Sequence, residues 1–194
     1  MPSLPTKSAK VRLLEAAAAL FYNDGITATG IDAITAKAGV AKMSLYNNFK
    51  SKADLVAAFI EARHDEWLAL YETRLAETSN PQERVLAIFD AYADHANFAY
   101  ERGFRGCGLL NAAAELPAGD AGREAVRLHK EHVEELLVQH LTEISPLTPE
   151  STRQTARHLS FLLEGSMSRA GLEGCDTQVQ QARLIAASLL GTIS

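Results

Sequence analysis

The chain has 194 residues, of which 47% are hydrophobic and 22% charged; it is long enough to bury a core and too apolar for a disordered chain. Its formal net charge of −5 is unevenly spread: residues 1–53 hold seven cations and three anions (net +4), the remainder twelve cations and twenty-one anions (net −9). A basic head on an acidic body is the asymmetry of a protein in which one small region meets phosphate. The stretch from Met1 to Lys7 lacks the charged-then-apolar layout of an export signal. The apolar run Ala16 to Tyr22 is far short of the ~20 residues that span a bilayer. A cytoplasmic protein with no membrane partner is therefore expected, with Cys107 and Cys175 as free thiols.

Helical periodicity runs through the whole chain, and no alternating strand pattern or hairpin turn interrupts it. Val11, Leu14, Ala18 and Phe21 mark a first helix ended by Gly25. Ile31, Ile34 and Ala38 share one face of a short second helix, and Thr29 with Asp32 resembles a capping box. A third short helix follows Ala38-Gly39-Val40-Ala41, where Gly39 suits a tight turn and Val40 the angle between helices. A long fourth helix starts near Lys52 and is expected to reach about Thr78, where Ser79-Asn80-Pro81 breaks it. Val85, Phe89, Tyr92 and Ala96 stripe a fifth, expected to end near Gly103, and Leu109 to Leu116 reads as a short helix between loops. Val126, Val133, Leu137, Leu141 and Ile144 mark a seventh, closed by Pro146 and Pro149. Leu159, Leu163, Met167 and Ala170 mark an eighth, and Val179, Ala182, Ala186, Leu189 and Ile193 a ninth. The expected fold class is all-α, with about nine helices joined by short connections.

In the third helix, Leu45 and Phe49 should face inward, leaving Lys42, Met43, Tyr46 and Asn47 outside with Ser44 beside them. A cation, a flexible apolar group, a phenol and an amide on one outer face suit the major groove, where N-terminal residues of such a helix reach base edges. Lys52 could hold a phosphate with the free N–H groups at the start of its helix, and Thr27, Thr29, Tyr46 and Lys50 are further phosphate candidates.

These residues carry a resemblance. Through Phe21, Gly25, Thr27, Thr29, Ile34, Ala38-Gly39-Val40, Lys42, Leu45-Tyr46, Phe49-Lys50-Ser51-Lys52 and Leu55, the sequence resembles the tetracycline-repressor (TetR) family across roughly residues 10–56. The resemblance implies a helix-turn-helix DNA-binding domain over 1–51 and a larger helical effector-binding and dimerisation domain over 52–194. It also implies a regulator, a repressor in the family's usual mode, released from a near-palindromic operator by a small molecule. Gly30, Thr35, Ala41 and Met43 depart from the commonest pattern. Ala41 lacks a hydroxyl that could cap the reading helix, and Met43 puts apolar bulk where a base contact would lie. No operator sequence carries over. The stretch Gly106-Cys107 to Ala112-Ala113-Ala114-Glu115 resembles one subgroup of these regulators more loosely.

Other classes fare worse. Gly106-Cys107-Gly108 begins like a dinucleotide fingerprint, but Asn111 stands where its third glycine belongs. Glu61-Ala62-Arg63-His64 matches the Glu-x-x-His of di-iron bundles, yet no second copy exists for the facing helix. No catalytic residue, metal or cofactor is expected. His129 and His132, three apart, are expected as solvated or singly bonded histidines rather than a metal pair. A helical small-molecule-binding or interaction protein without a DNA role would account for the bundle but not for the basic head. Trp67, Tyr71, Phe89, Tyr92, His95, Cys107, Asn111, His129 and Phe161 combine apolar bulk with a few polar groups, the mixture that lines a small-molecule cavity. Arg102 and Arg105 near Cys107 raise thiol sensing as a second input, against ordinary packing of a buried cysteine. Leu159, Gly165, Ser166, Ala170, Ala182, Ala186 and Leu189 in the last two helices are expected to pair with their copies in a homodimer.

Overall fold

The computed structural model describes residues 7–144 and 148–192; Pro146 and Ile193 lie outside them. Among the described residues there are nine helices and no strand: α1 (Ala9–Asp24), α2 (Ile31–Ala38), α3 (Lys42–Asn48), α4 (Lys52–Leu75), α5 (Pro81–Ala96), α6 (Gly108–Glu115), α7 (Ala121–Thr142), α8 (Pro149–Glu173) and α9 (Thr177–Thr192). The helix starts follow local chemistry. Ser8, Asn80 and Thr148 each accept a hydrogen bond from the backbone N–H three residues on, satisfying donors that the first turn leaves over. Pro81 and Pro149 sit where a missing N–H costs nothing. Gly174 closes α8 in the left-handed conformation, φ +72. Two expectations change at the ends: α4 stops at Leu75 rather than near Thr78, and α5 at Ala96 rather than near Gly103.

The helices gather into two compact units, one from Met1–Arg63 with Gly108–Ala125, the other from His64–Cys107 with Val126–Ser194. The boundary read from the sequence at 51/52 falls inside the first unit, which also takes the start of α4 and all of α6. In the first unit Leu13, Phe21, Ile34, Leu45, Phe49, Leu55 and Phe59 are buried, and the Phe21 and Phe59 rings meet edge to face at 5.5 Å. In the second, α9 packs against α5 and α8. Ala87 and Ala91 on α5, Ala170 on α8, and Ala182 and Ala186 on α9 are all buried, so small side chains allow close axes.

One backbone contact in the second unit requires glycine. A Cβ on Gly171 of α8 would lie 2.6 Å from both Cα and N of Gly106, itself at φ +88. Alanine would normally gain ~1 kcal/mol over glycine inside a helix, but overpacking against backbone typically costs ~1–3 kcal/mol or more. Gly171→Ala should therefore lower the melting temperature. An unchanged or raised transition in a thermal melt would show that the 106 turn can move aside.

Candidate nucleic-acid interface and buried polar cluster

Helix α2 ends on Gly39 at φ +62, whose N–H donates to Ala36 O while the Val40 N–H donates to Thr35 O. The Arg12 guanidinium of α1 donates to Gly39 O at 3.3 Å, pinning the turn. Beyond it α3 packs on α1 and α2 through Leu45, which is fully buried, and Phe49 follows as its buried cap. The opposite face is open: Met43 is 69% and Tyr46 47% exposed, Lys42 and Asn47 are exposed, and Ser44 is half-buried. The ammonium of Lys42 pairs with Asp32 at 2.8 Å, and that pairing raises its pKa. Both partners are solvated, so the pair contributes little and yields easily to a phosphate.

The phosphate candidates separate. Lys50 and Thr27 are exposed. Thr29 is buried, and its hydroxyl donates to Gly25 O at 2.6 Å. It is therefore spent inside the turn, and the cap of α2 is Gly30, not Thr29. Lys52 is half-buried and donates from Nζ to Ile26 O at 2.6 Å, which commits one of its three N–H donors to the turn between α1 and α2. The same turn is held by Glu115 at the end of α6, whose role the sequence reading missed: it accepts from the N–H groups of Ile26 (3.0 Å) and Thr27 (2.8 Å). Nothing in the spacing of Glu115 marks it, because its partners are backbone groups far away in sequence.

The second unit buries a polar cluster among aromatic rings. Trp67 stacks on Tyr71 at 5.6 Å and meets Tyr92 and His129, each at 5.4 Å. Tyr71 and His140 share a hydrogen bond of 2.5 Å, and burial pushes the Tyr71 phenol up to about 12. His64 and His129 join through their Nδ1 atoms at 2.7 Å. Burial first, and the neighbouring Lys130 and His64 next, push His129 down to about 3, so it stays neutral. Lys130 donates to Glu164 (2.7 Å), Tyr92 (3.2 Å) and Cys107 Sγ (3.6 Å). Burial opposes its charge, but Cys107, Tyr92 and Glu164 outweigh burial and hold it protonated. Trp67 Nε1 and Glu164 Oε2 are buried without a hydrogen-bond partner. Among the described residues no three His, Cys, Asp or Glu side chains converge as a metal ion would need.

Of the expected cavity residues, the structure brings together Trp67, Tyr71, Tyr92, His129 and, through Lys130, Cys107. Phe89 is buried on α5, and His95 bonds instead to the Tyr100 hydroxyl at 3.0 Å. Asn111 is exposed and belongs to the first unit. Phe161 is 66% exposed, so it lines no interior site. Lys130 and Glu164 were missed. Lys130 had a signal, since it continues the stripe Val126, Val133, Leu137 at helical spacing.

The expected pairing face also shifts. Leu159, Ser166, Ala170, Ala182 and Ala186 are buried within the chain itself. They pack the helices of one protomer against each other, so they cannot face a copy. The open side of α8 and α9 carries Phe161, Gly165, Leu172, Leu184, Ile185 and Leu189. Phe161, Gly165 and Leu172 recur at four- and seven-residue steps, which makes a single stripe.

Known proteins share this fold. The sequence model of bacterial regulatory proteins of the tetR family matches residues 13–59. A crystal structure of a TetR-family transcriptional regulator from Streptomyces coelicolor superposes with a TM-score of 0.86 at 27% identity, covering 96% of both chains. A tetR-type regulator from Streptomyces avermitilis superposes with a TM-score of 0.77 at 28% identity, covering 95% of this chain and 96% of that one. In sequence, the chain is 33% identical over 91 residues to the HTH-type transcriptional activator FasR of Mycolicibacterium smegmatis, covering 47% of this chain and 42% of that protein. It is 37% identical over 84 residues to the HTH-type transcriptional repressor KstR2 of Mycobacterium tuberculosis, covering 43% of this chain and 42% of that protein. These sequence matches span less than half the length of either relative.

Proposed function

The chain belongs to the TetR family of bacterial regulatory proteins, and from that premise we propose that it is a non-enzymatic, homodimeric transcription regulator that reads operator DNA with α3 and answers to a small molecule. The observation that carries the reading is the outer face of α3. Lys42, Met43, Tyr46 and Asn47 stand exposed on a helix anchored by fully buried Leu45, within a stretch of net charge +4. On this reading DNA contacts come from residues 1–52 and effector binding and pairing from the rest. Dimerisation through the α8 and α9 stripe would present two copies of α3 to successive major grooves, about 34–36 Å apart on a near-palindrome. The effector belongs beside Trp67 and Glu164, whose orphaned N–H and carboxylate oxygen suit a molecule that both accepts and donates a hydrogen bond. Repression is the mode the family resemblance favours, although one relative is named an activator and another a repressor.

The test is selection of bound duplexes from a random library with the purified full chain, followed by salt titration of the winner. A near-palindromic winner whose affinity falls steeply with salt supports the reading. A protein that enriches no duplex at low salt would sink it. With the winner in hand, Met43→Ala and Asn47→Ala should change base preference by about 1–3 kcal/mol at one position of each half-site. Lys50→Ala should weaken all sequences alike and reduce the salt slope by about one.

A further inference from the structure

Several observations in the first unit converge on one side chain outside the DNA-reading face. The two oxygens of Glu115 accept from Ile26 N–H and Thr27 N–H at 3.0 and 2.8 Å. These donors belong to the turn between α1 and α2, where no helix supplies them with carbonyl partners. Gly25 opens that turn at φ +91, and a Cβ there would lie 2.7 Å from Glu115 Oε1; the missing side chain makes room for the carboxylate. From the other side Lys52 of α4 donates to Ile26 O at 2.6 Å. Burial pushes the Glu115 carboxyl up, but the Thr27 and Ile26 N–H groups and the Lys52 charge outweigh it and hold the carboxyl below its ordinary value. Helix α6, which carries Glu115, packs on α1. The turn decides where α2 begins, and α2 with Gly39 decides where α3 points.

We propose that Glu115 is a positioning residue for operator recognition: its carboxylate clamps the turn between α1 and α2 to α6, so that movement of α6 reaches the DNA-reading side chains of α3 through these two N–H groups. The proposal rests on the DNA-binding reading above and adds the residue through which α6 acts.

The experiment compares full-length wild type with Glu115→Ala and Glu115→Gln, using the duplex selected by the wild type. Amide hydrogen exchange should quicken at Ile26 and Thr27 in Glu115→Ala while Ile34 and Leu45 stay protected, a pattern that general destabilisation would not produce. Affinity for the duplex should fall at least about tenfold, the size expected from losing hydrogen bonds to a charged group, with the dimer mass unchanged. Glu115→Gln keeps one acceptor oxygen and should fall between. Quickened exchange with unchanged or tighter DNA binding would overturn the positioning role. Unchanged exchange at Ile26 and Thr27 would overturn the clamp itself. A wild type that binds no duplex would instead refute the DNA-binding reading, and the exchange comparison would still report on the clamp.

Discussion

Replacing Phe161 and Ile185 together by glutamate should leave a folded monomer that no longer holds operator DNA. The two side chains are 66% and 50% exposed in the single chain, on α8 and α9. Burying one large apolar side chain contributes about 1.5–3 kcal/mol, and in a two-fold interface each position counts twice. Each glutamate removes that gain and places a carboxylate where a partner would strip away its water, a cost of several kcal/mol. Because both positions face solvent in the protomer, its own core loses nothing. A monomer presents one reading helix, and losing the linked second contact lowers affinity by roughly 10²–10⁴. Light scattering at micromolar protein should report the mass of one chain, and binding to the selected duplex should vanish at moderate salt. Leu128→Glu, at a 52% exposed position on α7, should leave both unchanged. A double variant that still scatters as a dimer would place the interface elsewhere.

The second large effect is acid sensitivity of the folded state through His129. This imidazole is 4% exposed and is pushed down to about 3, chiefly by burial and then by the charge of Lys130 and the neighbouring His64, His132 and His95. A histidine whose folded pKa lies below the unfolded value of 6.5 takes up its proton more readily in the unfolded chain. Its neutral form thus stabilises the fold fully above pH 6.5, and the contribution is lost progressively as pH falls toward about 3. Between about pH 8 and pH 5 the loss amounts to about 2 kcal/mol. His140 is shifted in the same direction, by burial and then Arg84, and adds to it. Denaturant unfolding over this range should show stability falling with acid, and His129→Gln should flatten the slope whatever it does to the plateau. An identical slope in the variant would assign the acid loss to other groups.

How much of this was legible in the sequence depends on the range of the interaction. The number and order of the helices, the break at Asn80-Pro81, the glycine turn at 39 and the inward placing of Leu45 and Phe49 were open to sequence reading. Each rests on neighbours within about one helical turn, where periodicity and capping chemistry act. The outward face of α3 follows from the same geometry, since whatever does not face inward with Leu45 must face out.

Tertiary structure decided what depends on residues far apart in the chain. Small residues on α8 and α9 read equally well as a pairing face or as internal packing. Only the approach of α5, α8 and α9 shows that Ala170, Ala182 and Ala186 lie inside and leaves Phe161 and Ile185 outside. Thr29 carries a hydroxyl suited to phosphate, yet the Gly25 carbonyl takes its one hydrogen-bond donor once the turn has formed, and Ile26 O takes one of the three donors of Lys52. Lys130 and Glu164 become a buried pair, and Glu115 a clamp, because the fold brings together side chains and backbone groups that share no spacing. Periodicity along one helix determines which face of that helix is apolar. Which element covers that face is decided by the packing of all of them at once.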